Sequence, residues 1–244
     1  MIEQIHQAQK ARQQLGRGLI CLSLAGADAD ALIRKAKPLI HLADLVEIRL
    51  DSMLKPAIAP FIEYFKIPVL ATNRPHWEGG NFQGSEEERI LLLEKALAAG
   101  AAYVDIELRT EPCLRDAFLT KAKALGAWAL VSWHDFSATP DSATLQKILT
   151  AMRGTPARSG KIVSTAATKA DALRLMGILE QAQQVSFPLS AFPMGAPGGI
   201  IRLASLYLGG HISYASLHGA ESTAPGQISI SRLRALCDLF EETA

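Results

Sequence analysis

Short apolar runs alternate with longer amphipathic stretches along most of the chain. Runs of strand length and composition occupy residues 19–24, 45–50, 67–72, 103–107, 127–133, 157–164, 185–190 and 211–216. Each is shorter than a typical helix and apolar enough for a strand buried on both faces. Between these runs the apolar positions recur at helical spacing. The clearest helix is expected at 85–99, where Ser85 and Glu88 form a capping box and Gly100 provides the stop. The last helix, expected at 227–240, sets Ile230, Leu233, Leu236, Cys237 and Phe240 on one stripe.

Eight strands, each followed by a helix, in a chain of 244 residues predict an α/β fold, a single-domain (β/α)8 TIM barrel over residues 1–244. A doubly wound open sheet is the other arrangement of such units, but it usually carries a glycine-rich fingerprint after its first strand. Leu24-Ala25-Gly26-Ala27-Asp28 holds a single glycine and does not qualify. Residues 1–18 are expected to form an N-terminal extension, either an extra helix or a cap across the barrel floor.

Composition narrows the partners. The formal net charge of +1 offers no global attraction to nucleic acid or to an anionic membrane, so neither is expected as a partner. An anionic ligand would have to be met by locally placed arginines. Cys21, Cys113 and Cys237 are odd in number and lack any Cys-x-x-Cys pairing, which argues against a disulfide framework or zinc site and suits a reducing compartment. The polar start Met1-Ile2-Glu3-Gln4-Ile5-His6 lacks the apolar core of a signal peptide, and no apolar run is long enough to span a bilayer. The expectation is a cytoplasmic enzyme with neither metal nor cofactor.

In a barrel the strand C-termini and the loops after them form the active face. Glu47-Ile48-Arg49-Leu50-Asp51 ends the second run, and alternation puts Glu47, Arg49 and Asp51 on one face. Ionisable groups aimed into a barrel are costly unless networked. Glu47 and Arg49 are read as ligand-facing, while a structural ion pair explains Asp51 as well as a direct role does. After the third run, Arg74-Pro75-His76-Trp77-Glu78-Gly79-Gly80 has the make-up of a site loop for an oxygen-rich ligand. Asp105 and Glu107 share a face of the fourth run, where they could support a lysine or orient a histidine. No ligand-like spacing singles out His41, His76, His211 or His218.

The richest stretch is Ser132-Trp133-His134-Asp135-Phe136, followed by Lys161 inside the next strand-like run. A lysine stripped of water inside a barrel favours its neutral amine, which attacks carbonyls, and a nearby histidine can carry the protons. Lys161 could equally snorkel from a strand start, and His134 could be a hydrogen-bonded core residue. Their pairing favours an imine-forming enzyme. Downstream, Arg202 follows a glycine-rich turn where it could bind an anion, Met194 suits packing or substrate contact, and Thr223-Ala224-Pro225-Gly226-Gln227 combines a turn with an amide.

Together these segments resemble the type I 3-dehydroquinate dehydratases, Schiff-base-forming barrel lyases of the shikimate pathway to chorismate and aromatic amino acids. The resemblance runs from Ser23 to Gln227. It comprises Ser23, Glu47-Ile48-Arg49-Leu50-Asp51, Arg74 with Glu78-Gly79-Gly80, and Asp105-Ile106-Glu107. It continues with Ser132-Trp133-His134-Asp135-Phe136, Lys161-Ile162-Val163, Met194-Gly195 with Arg202, and Ala224-Pro225-Gly226-Gln227. It implies that Lys161 forms a Schiff base with the C3 ketone of 3-dehydroquinate and that His134 moves the protons. Glu78 then supports this centre, and Arg202 pairs with the substrate carboxylate. Ser23, Glu47, Arg49, Arg74, Thr223 and Gln227 fall on positions that hold the ring hydroxyls and carboxylate or support the site, with Met194 beside them. A homodimer is implied by the resemblance too.

Departures from the family pattern are Ile201 and Thr223, where serine is common, and Pro75 after Arg74, where threonine is. None touches His134 or Lys161. A class I aldolase shares the barrel lysine, and an inactive barrel kept as a binding module would lack Lys161 or His134. The segment 219–227 is expected to be a mobile lid over bound ligand.

Overall fold

The computed structural model describes residues 16–196, 198–217 and 226–241. The strands are β1 (Leu19–Leu24), β2 (Leu45–Arg49), β3 (Val69–Thr72), β4 (Tyr103–Glu107), β5 (Trp128–Asp135), β6 (Ser159–Thr165), β7 (Leu189–Met194) and β8 (Ile212–Ala215). The helices that follow them are α1 (Ala29–Ala36), α2 (Ala59–Tyr64), α3 (Glu86–Ala98), α4 (Pro112–Ala124), α5 (Ser142–Arg153), α6 (Lys169–Gln184), α7 (Gly198–Tyr207) and α8 (Ile230–Glu241). The strands pair in parallel in the order β7-β6-β5-β4-β3-β2-β1-β8. The His211 N–H donates to the Leu189 carbonyl at 2.9 Å and brings the two ends together. The result is the nearly closed (β/α)8 barrel that the alternation predicts, and the open doubly wound sheet is excluded.

Local chemistry sets the helix starts. Ser85 caps α3 and Glu88 returns the bond to the Ser85 N–H; Thr168 and Asp171 do the same for α6. Asp28 and Asp141 cap α1 and α5, each accepting from a backbone N–H of the first turn. On the strands, outward residues such as Ile20, Leu22, Val46 and Ile48 pack with Leu32, Phe61, Leu93 and Phe118 of the helices. The inward residues divide by height. Leu19, Cys21, Leu45, Leu70, Tyr103 and Leu130 form an apolar floor. Nearer the strand C-termini the inward positions turn polar, with Ser23, Glu47, Thr72, Asp105, Ser132 and Lys161 all buried.

The largest differences from the expected boundaries fall at the seventh strand and the last helix. The seventh run was expected at 185–190, yet β7 is Leu189–Met194. Val185 closes α6 by donating its N–H to the Gln183 carbonyl, and Ser186 takes a left-handed φ of 52° that turns the chain. Pro188 then has no N–H for a ladder. The shift puts Met194 at the strand tip. The last helix begins at Ile230, so Gln227 lies in the loop before it.

A buried ion network links helix, strand and loop. Arg89 of α3 pairs with Glu107 at the end of β4 and with Glu86 at 2.8 Å, donates to Thr110 Oγ1 at 2.7 Å, and reaches the Asn73 carbonyl at 3.2 Å. Arg74 then shares Glu107, at 2.5 Å. Removing one partner of such a network strands the other's charge. Arg89→Met should therefore lower the unfolding free energy by about 3–5 kcal/mol in urea titrations. A loss below about 1 kcal/mol would mean that Arg74 alone satisfies Glu107.

Candidate active site

Lys161 sits in the middle of β6 facing inward, with Ser132 and Ser190 beside it in register on β5 and β7. Its Nζ is 3.8 Å from Asp105 Oδ2 and 3.9 Å from the centre of the Tyr214 ring. Burial draws the lysine below its ordinary pKa; Glu47 and Asp105 oppose that pull, and Arg74 and Arg49 reinforce it. The neutral amine is thus more available than in a solvated lysine.

His134 lies one step from the end of β5. Its Nδ1 is 3.3 Å from Glu78 Oε2, and its ring stacks on Phe136 with centroids 6.4 Å apart. Burial, helped by the charges of Arg74 and Lys161, holds the imidazole well below the usual histidine range. Glu78 reaches this position from a single 3-10 turn, His76–Glu78, closed by Gly79 at φ 77°. Gly80 follows because a Cβ there would stand 2.0 Å from the Arg74 carbonyl oxygen. Burial pushes Glu78 up to about 8, against the opposing Arg74. At neutral pH both partners are therefore uncharged, and the carboxyl O–H can donate to Nδ1, leaving a proton on Nε2. Ionising Glu78 reverses the tautomer and frees Nε2 as a base.

Arginines surround this pair, and each is held differently. Arg49 is gripped through both Asp51 oxygens, at 2.9 and 2.7 Å. Asp51 also accepts the backbone N–H groups of Arg74 and Asn81 at 3.1 Å, so of its two readings the structural one accounts for its bonds. Arg74 spends its guanidinium on Asp105 and Glu107, both at 2.5 Å, and on Ser132 Oγ at 2.6 Å, and comes within 3.7 Å of Glu78. Arg202, one turn into α7, stands apart. Its Nε and Nη2 are buried with no hydrogen-bond partner among the described residues, and burial lowers it to about 10. It remains charged at neutral pH, resting 4.2 Å above the Phe192 ring. A buried guanidinium with free donors is a seat for a carboxylate.

Lys161, His134, Glu78, Glu47, Arg49 and Arg74 line one cleft at the strand C-termini, about 530 Å³ including its open mouth. Met194, Arg202 and Gln227 line it too. Ser23 does not; its Oγ donates to Glu47, whose other oxygen accepts from Thr72 Oγ1 at 2.8 Å. Thr223 and most of the 219–227 segment lie outside the described residues. Asp105 supports the lysine as expected, but the carboxyl beside the histidine is Glu78, and Glu107 serves the two arginines. Sequence reasoning left Tyr214, Phe192 and Phe136 without a role, although alternation in the eighth run marks Tyr214 as an inward position. It also passed over Arg109, whose Nη1 is 3.9 Å from Glu78 Oε1 while its guanidinium covers the Trp133 ring.

A depressed lysine, a neutral imidazole and an arginine with free donors in one cleft can hold a keto acid as an imine and move its protons. A family model described as type I 3-dehydroquinase matches residues 20–244. The 3-dehydroquinate dehydratase of Desulfotalea psychrophila is 41% identical over 217 residues, which cover 89% of this chain and 96% of that protein. That of Methanocaldococcus jannaschii is 34% identical over 229 residues, covering 91% and 99%. Among solved structures, the type I 3-dehydroquinate dehydratase of Clostridium difficile superposes with a TM-score of 0.85 at 25% identity, covering 94% of each chain.

The Glu78 carboxyl has a signature in stability. Its folded value of about 8 lies above the ordinary 4.5, so the stability it contributes is complete below about 4.5 and is lost as pH rises through 8. Glu78→Gln removes that loss. The melting temperature of the variant relative to the parent should be higher at pH 9 than at pH 5. The same difference at both pH values would show an ionised Glu78 at neutrality.

Proposed function

The chain belongs to the type I 3-dehydroquinase family, lyases of the shikimate pathway, and we propose that it dehydrates 3-dehydroquinate to 3-dehydroshikimate through a Schiff base on Lys161. The observation that carries this mechanism is the sharing of one cleft by Lys161, the His134–Glu78 pair and Arg202, whose Nε and Nη2 have no partner among the described residues. The amine attacks the C3 carbonyl, and the carbinolamine loses water to give the iminium. With Glu78 ionised so that Nε2 is free, His134 removes a C2 proton, and the C–H electron pair runs into the C2–C3 bond and on to nitrogen as an enamine. The electrons then return to form the C1–C2 double bond while the C1 hydroxyl departs, protonated by His134, as water. Water hydrolyses the iminium and frees Lys161. Substrate becomes product plus one water.

The other residues hold the ring. Arg202 takes the carboxylate, with its donors already desolvated, so the pairing adds little further desolvation cost. Arg49, Glu47 and Gln227 meet ring hydroxyls, and Met194 gives the ring an apolar wall. Arg74 acts mainly by fixing Asp105 and Glu107, and Ser23 by fixing Glu47. Glu78 sets the tautomer of His134. Thr223 adds a further hydroxyl to the substrate contacts. No cofactor or metal is needed for these steps. An aldolase reading is less well supported, since the cleft pairs its lysine with a carboxylate seat rather than a phosphate cradle. We also propose a single-domain homodimer that works in the cytoplasm, without nucleic acid or membrane partners. No helix among the described residues is long and apolar enough to cross a membrane.

Lys161→Ala should abolish dehydration while circular dichroism stays that of the parent. Borohydride with 3-dehydroquinate should add a covalent adduct to Lys161 of the parent, located by peptide mass. An adduct on another lysine would sink the assignment.

His134→Ala should still bind substrate while turnover falls by about 10²- to 10⁴-fold, the usual range for a lost general acid/base. Because the same imidazole serves imine formation and hydrolysis, the loss can exceed that range. Near-parental turnover would move the proton transfers to Glu78.

A further inference from the structure

Two of the basic side chains of the cleft stand on two aromatic faces that touch. Lys161 Nζ is 3.9 Å from the centre of the Tyr214 ring, and Arg202 Cζ is 4.2 Å from that of Phe192. The rings pack with centroids 5.9 Å apart. Tyr214 projects inward from β8, is 3% exposed, and lines the cleft. Its hydroxyl has no hydrogen-bond partner among the described residues, so no described bond of the phenol accounts for a tyrosine at this position.

We infer that Tyr214 is a positioning residue for the imine step, its ring face seating Lys161 Nζ and stabilising the positive charge of the iminium formed there. This rests on the Schiff-base reading of Lys161 and assigns the cation a second support besides Asp105. An iminium must carry its charge where water is scarce, and a desolvated cation over a ring face gains most from the ring quadrupole. A carboxylate in tight contact would hold the lysine as an ammonium and remove the nucleophile. The nearest acids are restrained from doing so. Asp105 is bonded to Arg74 at 2.5 Å and to Ser132 at 2.6 Å, and Glu47 to Ser23 and Thr72. A ring face attracts the cation yet cannot accept its proton. Burial also drives the phenol ionisation far above its ordinary range, so Tyr214 stays neutral throughout. The titratable groups facing Lys161 are Cys21 from β1, Glu47 and Arg49 from β2, Arg74 after β3, Asp105 from β4, His134 from β5 and Tyr214 from β8.

The test compares Tyr214→Phe with Tyr214→Leu in the full chain, reading kcat, KM and the pH dependence of borohydride trapping with 3-dehydroquinate. Tyr214→Phe keeps the face and should hold kcat within about threefold. Tyr214→Leu removes it and should cost about tenfold in kcat with little change in KM. The pH at which Lys161 loses its proton should fall by about one unit, the equivalent of about 1.4 kcal/mol. An unchanged pH limb in the leucine variant overturns the inference, and so does a phenylalanine variant as impaired as leucine. If Tyr214→Leu fails to fold, phenylalanines of increasing fluorine content at position 214 replace it, since they keep the shape and drain the ring face. Turnover must then fall with each fluorine, and a flat series overturns the inference. Failure to trap the parent at Lys161 would instead remove the Schiff-base reading itself.

Discussion

A lysine placed mid-strand inside a nearly closed barrel loses most of its water, and this burial is what the site is organised around. Desolvation alone drives the amine towards neutrality; a tight carboxylate would drive it back to an ammonium. The structure sits between the two. Asp105 stands 3.8 Å from Nζ rather than in contact, because its oxygens are engaged by Arg74 and Ser132. The lysine stays below its ordinary pKa without becoming an isolated buried cation.

That restraint extends into the scaffold. Arg74 can hold Asp105 because its backbone N–H is fixed by Asp51 and its guanidinium is shared with Glu107. Glu107 is in turn anchored by Arg89 from α3, whose start is set by a serine–glutamate capping box. The same loop delivers Glu78 to His134, with Gly80 allowing the close backbone passage that the turn requires. A change on the helix side of this chain of contacts therefore reaches the electrostatics of Lys161 without touching the cleft.

Barrel and chemistry differ in how openly the chain displays them. The limits of β1 and β4 follow directly from apolar run length. Strand β7 was misplaced because a run that looks like a strand is partly a helix end followed by a left-handed turn, and Pro188 offers the ladder no donor. His134, Lys161 and Arg202 were legible because histidine, lysine and arginine are conspicuous at strand ends or after a glycine turn. Tyr214 was not, since an aromatic residue in an apolar run is indistinguishable from core until its neighbours are known.

The sequence by itself determined what acts over a few residues: the alternation of strand and helix, the caps, the inward parity of each strand position, and which chemical groups reach the active face. Tertiary structure alone decided how those groups divide their charge. Arg74 meets Glu107 and Ser132 from 33 and 58 positions away, and those bonds make it the brace of Asp105. Arg202, with no such partner among the described residues, leaves its Nε and Nη2 donors unused. Periodicity and capping are short-range and therefore written in neighbouring residues. Pairing and desolvation depend on distances across the barrel, which exist only once its eight strands have closed.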